Sequence, residues 1–219
     1  SRIPAIPGHT RAPRTYGVAV AAPASDLTDQ IHEVAIIGAG PGGITAAHLL
    51  QQKGIGDFVI LERAGDVGGT WRDNHYPGLA VDIPSLWYQF PFARDPNWSR
   101  LFAPGAEIQS YLRDVARDVG VYAHLHTHAD VIRQVWDDGR AVWQLELADG
   151  RAVTARFVIS AVGGYINAKT DVPIDGIGDF TGRIMRPNDW DDDYDVRGKR
   201  VAVIGTGSSA IQSIPVMAE

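Results

Sequence analysis

EVAIIGAGPGGITAAHLLQQKGIGDFVILE, residues 33–62, is the stretch whose reading decides the fold. EVAIIG is a short, continuous apolar run rich in β-branched residues, the composition of a parallel strand buried on both faces. In ITAAHLLQQK, Ile44, Ala47 and Leu50 recur at helical spacing, Lys53 falls in the last turn and Gly54 stands where the helix should end. DFVILE (57–62) reads as a second buried strand, so the segment spells strand, turn, helix, strand. The turn Gly38-Ala39-Gly40-Pro41-Gly42-Gly43 fits G-x-G-x-x-G. Gly38 permits the tight turn, Gly40 lets a diphosphate approach the backbone, and Gly43 lets helix and strand pack closely. Amides at the positive end of the helix would then hold the diphosphate. The pattern alone is weak, but here it joins a strand to a helix, and Glu62 follows about 20 residues later at a strand end. A carboxylate there accepts ribose hydroxyls and repels a 2′-phosphate, which favours FAD or NAD over NADP at this loop.

Working outward, residues 64–104 are rich in Gly, Pro, Asp, Asn and aromatics and read as a long loop, a length that usually lines a site. GAEIQSYLRDVARDVG (105–120) returns to helical period, with Ile108, Leu112, Val115 and Val119 on one face. Strands are expected in VYAHLHTH (121–128), in VIRQVWDD and AVWQLELA on either side of DDGR, and in RAVTARFVISAVGG (151–164). From Asn167 to Val196 the chain is again rich in Pro, Gly and Asp, as an interdomain crossing would be. KRVAVIGTGSSAIQSI (199–214) then restarts the strand–turn–helix pattern. The N-terminal residues 1–28 read as an irregular arm.

The 219 residues carry a formal net charge of −6, which gives no basic surface for nucleic acid. Cysteine is absent, so disulfides, thiolate metal sites and thiol catalysis are excluded for these residues. No apolar run approaches the roughly 18 residues that span a bilayer. A cytoplasmic protein is expected.

GGTWRDNHYPGLAVD (68–82) is not explained by periodicity. Gly68-Gly69 precede Trp71, then come Tyr76-Pro77-Gly78 and, after three residues, Asp82. The segment resembles the flavin-dependent monooxygenases, in particular the Baeyer–Villiger monooxygenases. Their pattern is Ala or Gly, Gly, any residue, Trp, four residues, Phe or Tyr, Pro, Gly or Met, three residues, Asp, and it is met at every fixed position. The resemblance covers residues 32–219. It implies a Rossmann-like, three-layer FAD-binding α/β fold with a β-meander (29–168), then a linker and the start of a second Rossmann-like NAD(P)-binding domain (169–219). It implies FAD contacts from Gly38, Gly40, Pro41, Gly42, Gly43, Glu62, Arg63, Gly69, Thr70 and Trp71, with Asp82 and Tyr88 nearer the flavin ring and the Val131 backbone at the adenine. Asp82 is the candidate catalytic residue, tuning local charge rather than acting as a nucleophile. A carboxylate buried beside a flavin is costly unless paired, so a cationic partner is expected for it; the resemblance implies an Arg of the nicotinamide-binding half, at a position not reached before Glu219.

The linker pattern of the same family is Phe, Gly two residues on, His four further, then Trp after three more and Pro or Asp. FTGRIMRPNDWD supplies Phe180, Gly182, Trp190 and Asp191, but Arg186 stands at the His position. Exchanging a switchable imidazole for a permanent guanidinium charge puts the coupling between the two nucleotide domains in question. Gly205-Thr206-Gly207-Ser208-Ser209-Ala210 is G-x-G-x-x-A. Two such loops imply two dinucleotides, and since a flavin needs an electron source the second is read as an NADPH site. The resemblance places Gly205, Thr206, Gly207, Ser208, Ser209, Ala210 and Ile211 around its diphosphate.

Three patterns point elsewhere and are set aside. Tyr165 and Lys169 match the Y-x-x-x-K pair of short-chain dehydrogenases but fall in a loop-like stretch. His124, His126 and His128 alternate as metal ligands on one strand face would, without a fourth ligand. Asp191-Asp192-Asp193 lacks the glycine and terminal glutamate of a calcium loop. No metal is expected.

The activity implied by the resemblance is oxidation of a small ketone by O2 and NADPH to an ester or lactone. A flavin monooxygenase acting on nitrogen or sulfur is the alternative, and Trp190 favours ketones. A flavin disulfide reductase would need a redox cysteine pair. A lone strand–loop–helix cannot bury its own apolar face. The sequence is therefore expected to be part of a longer protein, and a non-catalytic nucleotide-binding fragment is the reading for these residues alone.

Overall fold

The computed structural model describes residues 27–28, 30–164 and 174–219. The N-terminal arm up to residue 26 and the Tyr165–Lys169 pair lie outside the described residues.

The strand–helix–strand unit forms as expected from β1 (Ile31–Ile37), α1 (Pro41–Gln52) and β2 (Phe58–Leu61). β1 and β2 run parallel, with Val34 opposite Phe58 and Ile37 opposite Leu61. β3 (Leu125–His126) adds to the outer side of β2, again parallel. The chain then makes β4 (Val131–Asp137), β5 (Val142–Leu147) and β6 (Ala152–Ser160) as an antiparallel meander. β6 returns to lie parallel to β1, which closes a six-stranded sheet in the order β3-β2-β1-β6-β5-β4.

The period of two along β1 and β2 explains how this sheet is covered. Val34, Ile36, Phe58 and Ile60 pack with Ile44 and Ala47 of α1 and with Ile108, Leu112 and Val115 of α3 (Gly105–Asp118). The alternate residues Ala35, Ile37, Val59 and Leu61 join Leu145, Leu147 and Val153 of the meander, along with Leu27 from just before the sheet. A strand covered on both sides has no face for polar residues, so its sequence reads as an unbroken apolar run. Helices thus cover one face of β1 and β2, while apolar side chains of the meander, which belongs to the same sheet, pack with the other.

Three segments differ from expectation. VYAHLHTH gives a 3-10 turn at Val121–Ala123 and only the two-residue β3. His124 instead stacks on Phe58 at 3.9 Å, and His128 takes a left-handed backbone (φ 54°), so the three imidazoles do not share a strand face. The long loop of residues 64–104 contains one helical turn, α2 (Thr70–Asp73), and a single bridge between Ala80 and Pro104. The third difference is the strand expected before the second glycine loop. Residues 200–206 form no strand, although α4 (Ser208–Met217) follows as expected. A strand exists only through its neighbour's hydrogen bonds, and among the described residues none of the six strands pairs with this segment.

Candidate functional site

The first glycine turn sits at the junction of β1 and α1. Gly38 takes φ +99°, and a Cβ there would lie 2.6 Å from the Ala161 carbonyl oxygen. A Cβ on Gly43 would collide with the Gly38 carbonyl oxygen, so the third glycine packs the helix against the turn itself. Gly40 caps α1 with no side chain bonding to the helix, and Pro41 opens it at a position whose N–H is not needed. Gly42 is exposed beside them. A second turn meets this one: the Gly68 amide donates to the Ala39 carbonyl at 3.0 Å. Gly69, the cap of α2, would bring a Cβ within 3.2 Å of the Gly40 Cα. Bare backbone therefore faces bare backbone over the start of α1.

Glu62 lies directly behind this cradle and is only 4% exposed. Its Oε2 accepts the Ala39 amide at 2.8 Å, its Oε1 accepts the Ala64 amide at 2.9 Å, and Arg72 approaches Oε1 at 3.0 Å. Arg72 also donates to Asp73 at 2.8 Å and to the Asp66 carbonyl. Burial pulls the guanidinium pKa down, but the bond to Asp73 and the charge of Glu62 more than restore it, holding it above its ordinary value. Arg63 is exposed and faces Asp73 at 3.9 Å. The backbone of residues 126–129 runs alongside: the Glu62 amide donates to the His126 carbonyl, and the Ala129 amide to the Glu62 carbonyl, each at 2.9 Å. Val131 opens β4 just beyond, half-buried opposite Leu147.

In the aromatic segment, Trp71 follows the exposed Thr70 in α2 and donates its indole N–H to the Tyr88 hydroxyl at 2.8 Å, with the two rings edge to face. Asp82 is exposed among the described residues, and its Oδ2 accepts the Ser208 hydroxyl at 2.8 Å. Ser208 is the first residue of α4, so this bond joins the aromatic segment to the second glycine loop. In that loop Gly205 takes φ +130° and Gly207 caps α4, Thr206 and Ile211 are exposed, and Ser209 and Ala210 are half-buried in the first turn.

The linker reaches the same region. His75 lies 2.8 Å from Asp192, and Arg183 pairs with Asp191 at 2.8 Å, so two of the three consecutive aspartates have protein partners. Arg186 forms an isolated backbone bridge with Asp189.

Three residues central to this arrangement escaped the sequence reading. Arg72 sits inside the aromatic segment and carried no spacing signal toward Glu62. Gln109, on the buried face of α3, donates to the Val67 carbonyl at 2.8 Å and lies against Gly68. Gln212 bonds both to Tyr76 and to Ala80; its position one turn beyond Ser208 was the only clue available.

The family of NAD(P)-binding Rossmann-like domains matches residues 36–104. A Baeyer–Villiger monooxygenase of Streptomyces coelicolor is 48% identical over 191 residues, which cover 85% of this chain and 36% of that protein. One from Pseudomonas aeruginosa is 42% identical over 183 residues, 84% of this chain and 34% of that protein. The crystal structure of OTEMO in complex with FAD and NADP superposes with a TM-score of 0.76 at 33% identity, covering 85% of this chain and 37% of that one. The chain thus spans about a third of the length of the curated relatives it matches. In sequence and in space, most of this chain's length thus matches the N-terminal portion of Baeyer–Villiger monooxygenases.

Proposed function

We propose that the chain supplies the FAD-binding part and the start of the NADPH-binding part of an enzyme that inserts one oxygen atom of O2 beside a ketone carbonyl, giving an ester or lactone. One observation carries the reading: the same backbone shape recurs at two helix N-termini. Gly38 and Gly205 share a positive φ, and the caps Gly40 (φ −75°, ψ −171°) and Gly207 (φ −78°, ψ 179°) are nearly superimposable in their dihedrals. Each turn presents amides and a helix dipole, the environment a diphosphate needs.

The residues fit the cofactors. The facing backbones of Gly40 and Gly69 leave the start of α1 open to a diphosphate, with Gly38, Pro41, Gly42 and Gly43 shaping the turn. Glu62 accepts three donors within the protein, and a carboxylate offers about four acceptor directions, which leaves capacity for a ribose hydroxyl. Arg63 stands at the edge of that position and the Val131 backbone on its adenine side. Thr70, Trp71, Tyr88 and Asp82 line the way from the first turn to the second, where residues Gly205 to Ile211 would hold NADPH. When bound, FAD supplies the oxygen-transfer chemistry and NADPH the electrons. The protein's part is to orient both, and Asp82 sets the charge between them. We assign residues 29–168 to the FAD-binding domain and 169–219 to the linker and the beginning of the second domain. Dependence on NADPH is consistent with a cytoplasmic enzyme.

Titrating the chain with FAD, followed by quenching of flavin fluorescence, tests the reading. Weak binding that Gly40→Val abolishes is expected, without NADPH oxidation by these residues alone. Absence of any FAD uptake by the folded chain overturns it. With the remaining two-thirds of a family member joined after Glu219, a cyclic ketone should give its lactone; sole oxidation of a thioether would point instead to chemistry on sulfur.

A further inference from the structure

The contacts between α4 and the aromatic segment follow a simple rule. Ser208, Gln212 and Val216 are four residues apart, so they form one stripe along the helix. Each addresses the segment Tyr76–Asp82. Ser208 donates to Asp82 at 2.8 Å. A Cβ on Gly78, whose φ is +79°, would collide with the Gln212 carbonyl oxygen and come within 3.1 Å of a Val216 methyl. Between these contacts the Gln212 side chain makes two hydrogen bonds of opposite sense. Its Oε1 accepts the Tyr76 hydroxyl at 2.9 Å, and its Nε2 donates to the Ala80 carbonyl at 2.8 Å.

That pairing demands an amide. The Ala80 carbonyl can only accept, so the NH2 must point at it, and the Tyr76 hydroxyl then serves the oxygen. Alanine would remove both bonds. An ionised glutamate would keep the bond from Tyr76 but turn a second acceptor toward Ala80. Protonated glutamate has one donor and one acceptor and so restores the pattern. The fingerprint Tyr76-Pro77-Gly78 gains a physical reason from this: Tyr76 supplies the donor and Gly78 the space through which α4 approaches.

Building on the proposed function, we infer that Gln212 is a positioning residue. It ties the helix of the second glycine loop to the segment that borders the first, and so sets where the second dinucleotide is held relative to the first.

The test uses amide hydrogen exchange of the chain without nucleotide, expressed as protection factors. In Gln212→Ala, protection of the α4 amides should fall about tenfold, the order expected from losing one to two hydrogen bonds, while β1 and β2 keep theirs. Gln212→Glu should show the same loss at pH 8 and regain protection near pH 5, as its carboxyl takes up a proton beside the Ala80 carbonyl. Gln212→Ala should show no such recovery. Unchanged α4 protection in Gln212→Ala, or no pH-dependent recovery in Gln212→Glu, overturns the inference. A second arm titrates NADP⁺ and FAD. Binding of NADP⁺ should weaken about tenfold in Gln212→Ala with FAD affinity within twofold of the original; equal weakening of both counts against positioning. If neither nucleotide binds the unsubstituted chain, the cofactor reading fails, and the exchange arm still decides whether the clamp exists.

Discussion

The carboxylate of Glu62 and the guanidinium of Arg72 meet 3.0 Å apart with side chains only 5% and 14% exposed, behind the first glycine turn. A shielded pair of this kind is sensitive to losing one member, because the other is left charged and short of partners. Glu62→Gln also turns an NH2 toward one of the amides of Ala39 and Ala64. We expect it to cost about 2–4 kcal/mol in urea unfolding. Replacing Arg72 by Met in the same chain should recover part of that loss, a non-additivity that two independent surface residues would not show.

The third positions of the two glycine loops are not equivalent. A methyl group on Gly43 has nowhere to go because the Gly38 carbonyl fills its place. Gly43→Ala should therefore destabilise the chain by about 1–3 kcal/mol through overpacking at the turn. The corresponding residue of the second loop is already Ala210, half-buried in the first turn of α4. Ala210→Gly should cost no more than about 1 kcal/mol, the intrinsic helix penalty of glycine. Denaturant midpoints of the two variants separate these cases, and similar shifts would contradict the difference in packing.

Asp66 joins the loop after β2 to α3. Burial raises its pKa, but the Tyr122 hydroxyl at 2.7 Å, the Val67 amide and Arg113 outweigh that and hold the carboxyl below the ordinary value of 3.8. A depressed folded-state pKa contributes stability above the unfolded value and loses it as the pH falls through the folded one. The chain should thus lose this contribution below about pH 4. Asp66→Asn should be less stable at pH 7, and its disadvantage should shrink toward zero at acid pH. A constant difference from pH 7 to pH 3 in thermal unfolding would show that ionisation of Asp66 is not involved.

Arg186 occupies the linker position where the family pattern has His. In a longer form of the protein, Arg186→His should raise the fraction of NADPH oxidation that ends in oxygenated product, because an imidazole can change charge during a cycle and a guanidinium cannot. The ratio of product formed to NADPH consumed measures this directly. An unaltered ratio means the linker residue does not govern coupling.

The first unit was legible in the sequence because each of its elements is determined locally. EVAIIG and DFVILE had to be strands buried on both faces, and the glycines between them had to turn. β4, β5 and β6 were equally readable from alternation and turn residues. Legibility failed where partners decide. KRVAVIG has the composition of a strand but no ladder to join among the described residues. VYAHLHTH alternates like a strand, yet Gly120 takes a left-handed conformation at the end of α3 and a 3-10 turn follows. Gln212 and Arg72 reveal themselves only through bonds to residues distant in sequence.

The unpaired run Val201–Ile204 has a further consequence. Val201, Val203 and Ile204 are 48%, 40% and 73% exposed, in a segment of strand-forming residues with no proline and a basic residue, Arg200, at one end. Such a run is a template for edge-to-edge pairing between molecules, held back here by few charged gatekeepers. Taken by themselves, these 219 residues should self-associate through this tract when concentrated, and light scattering should fall when Val203 is replaced by Lys.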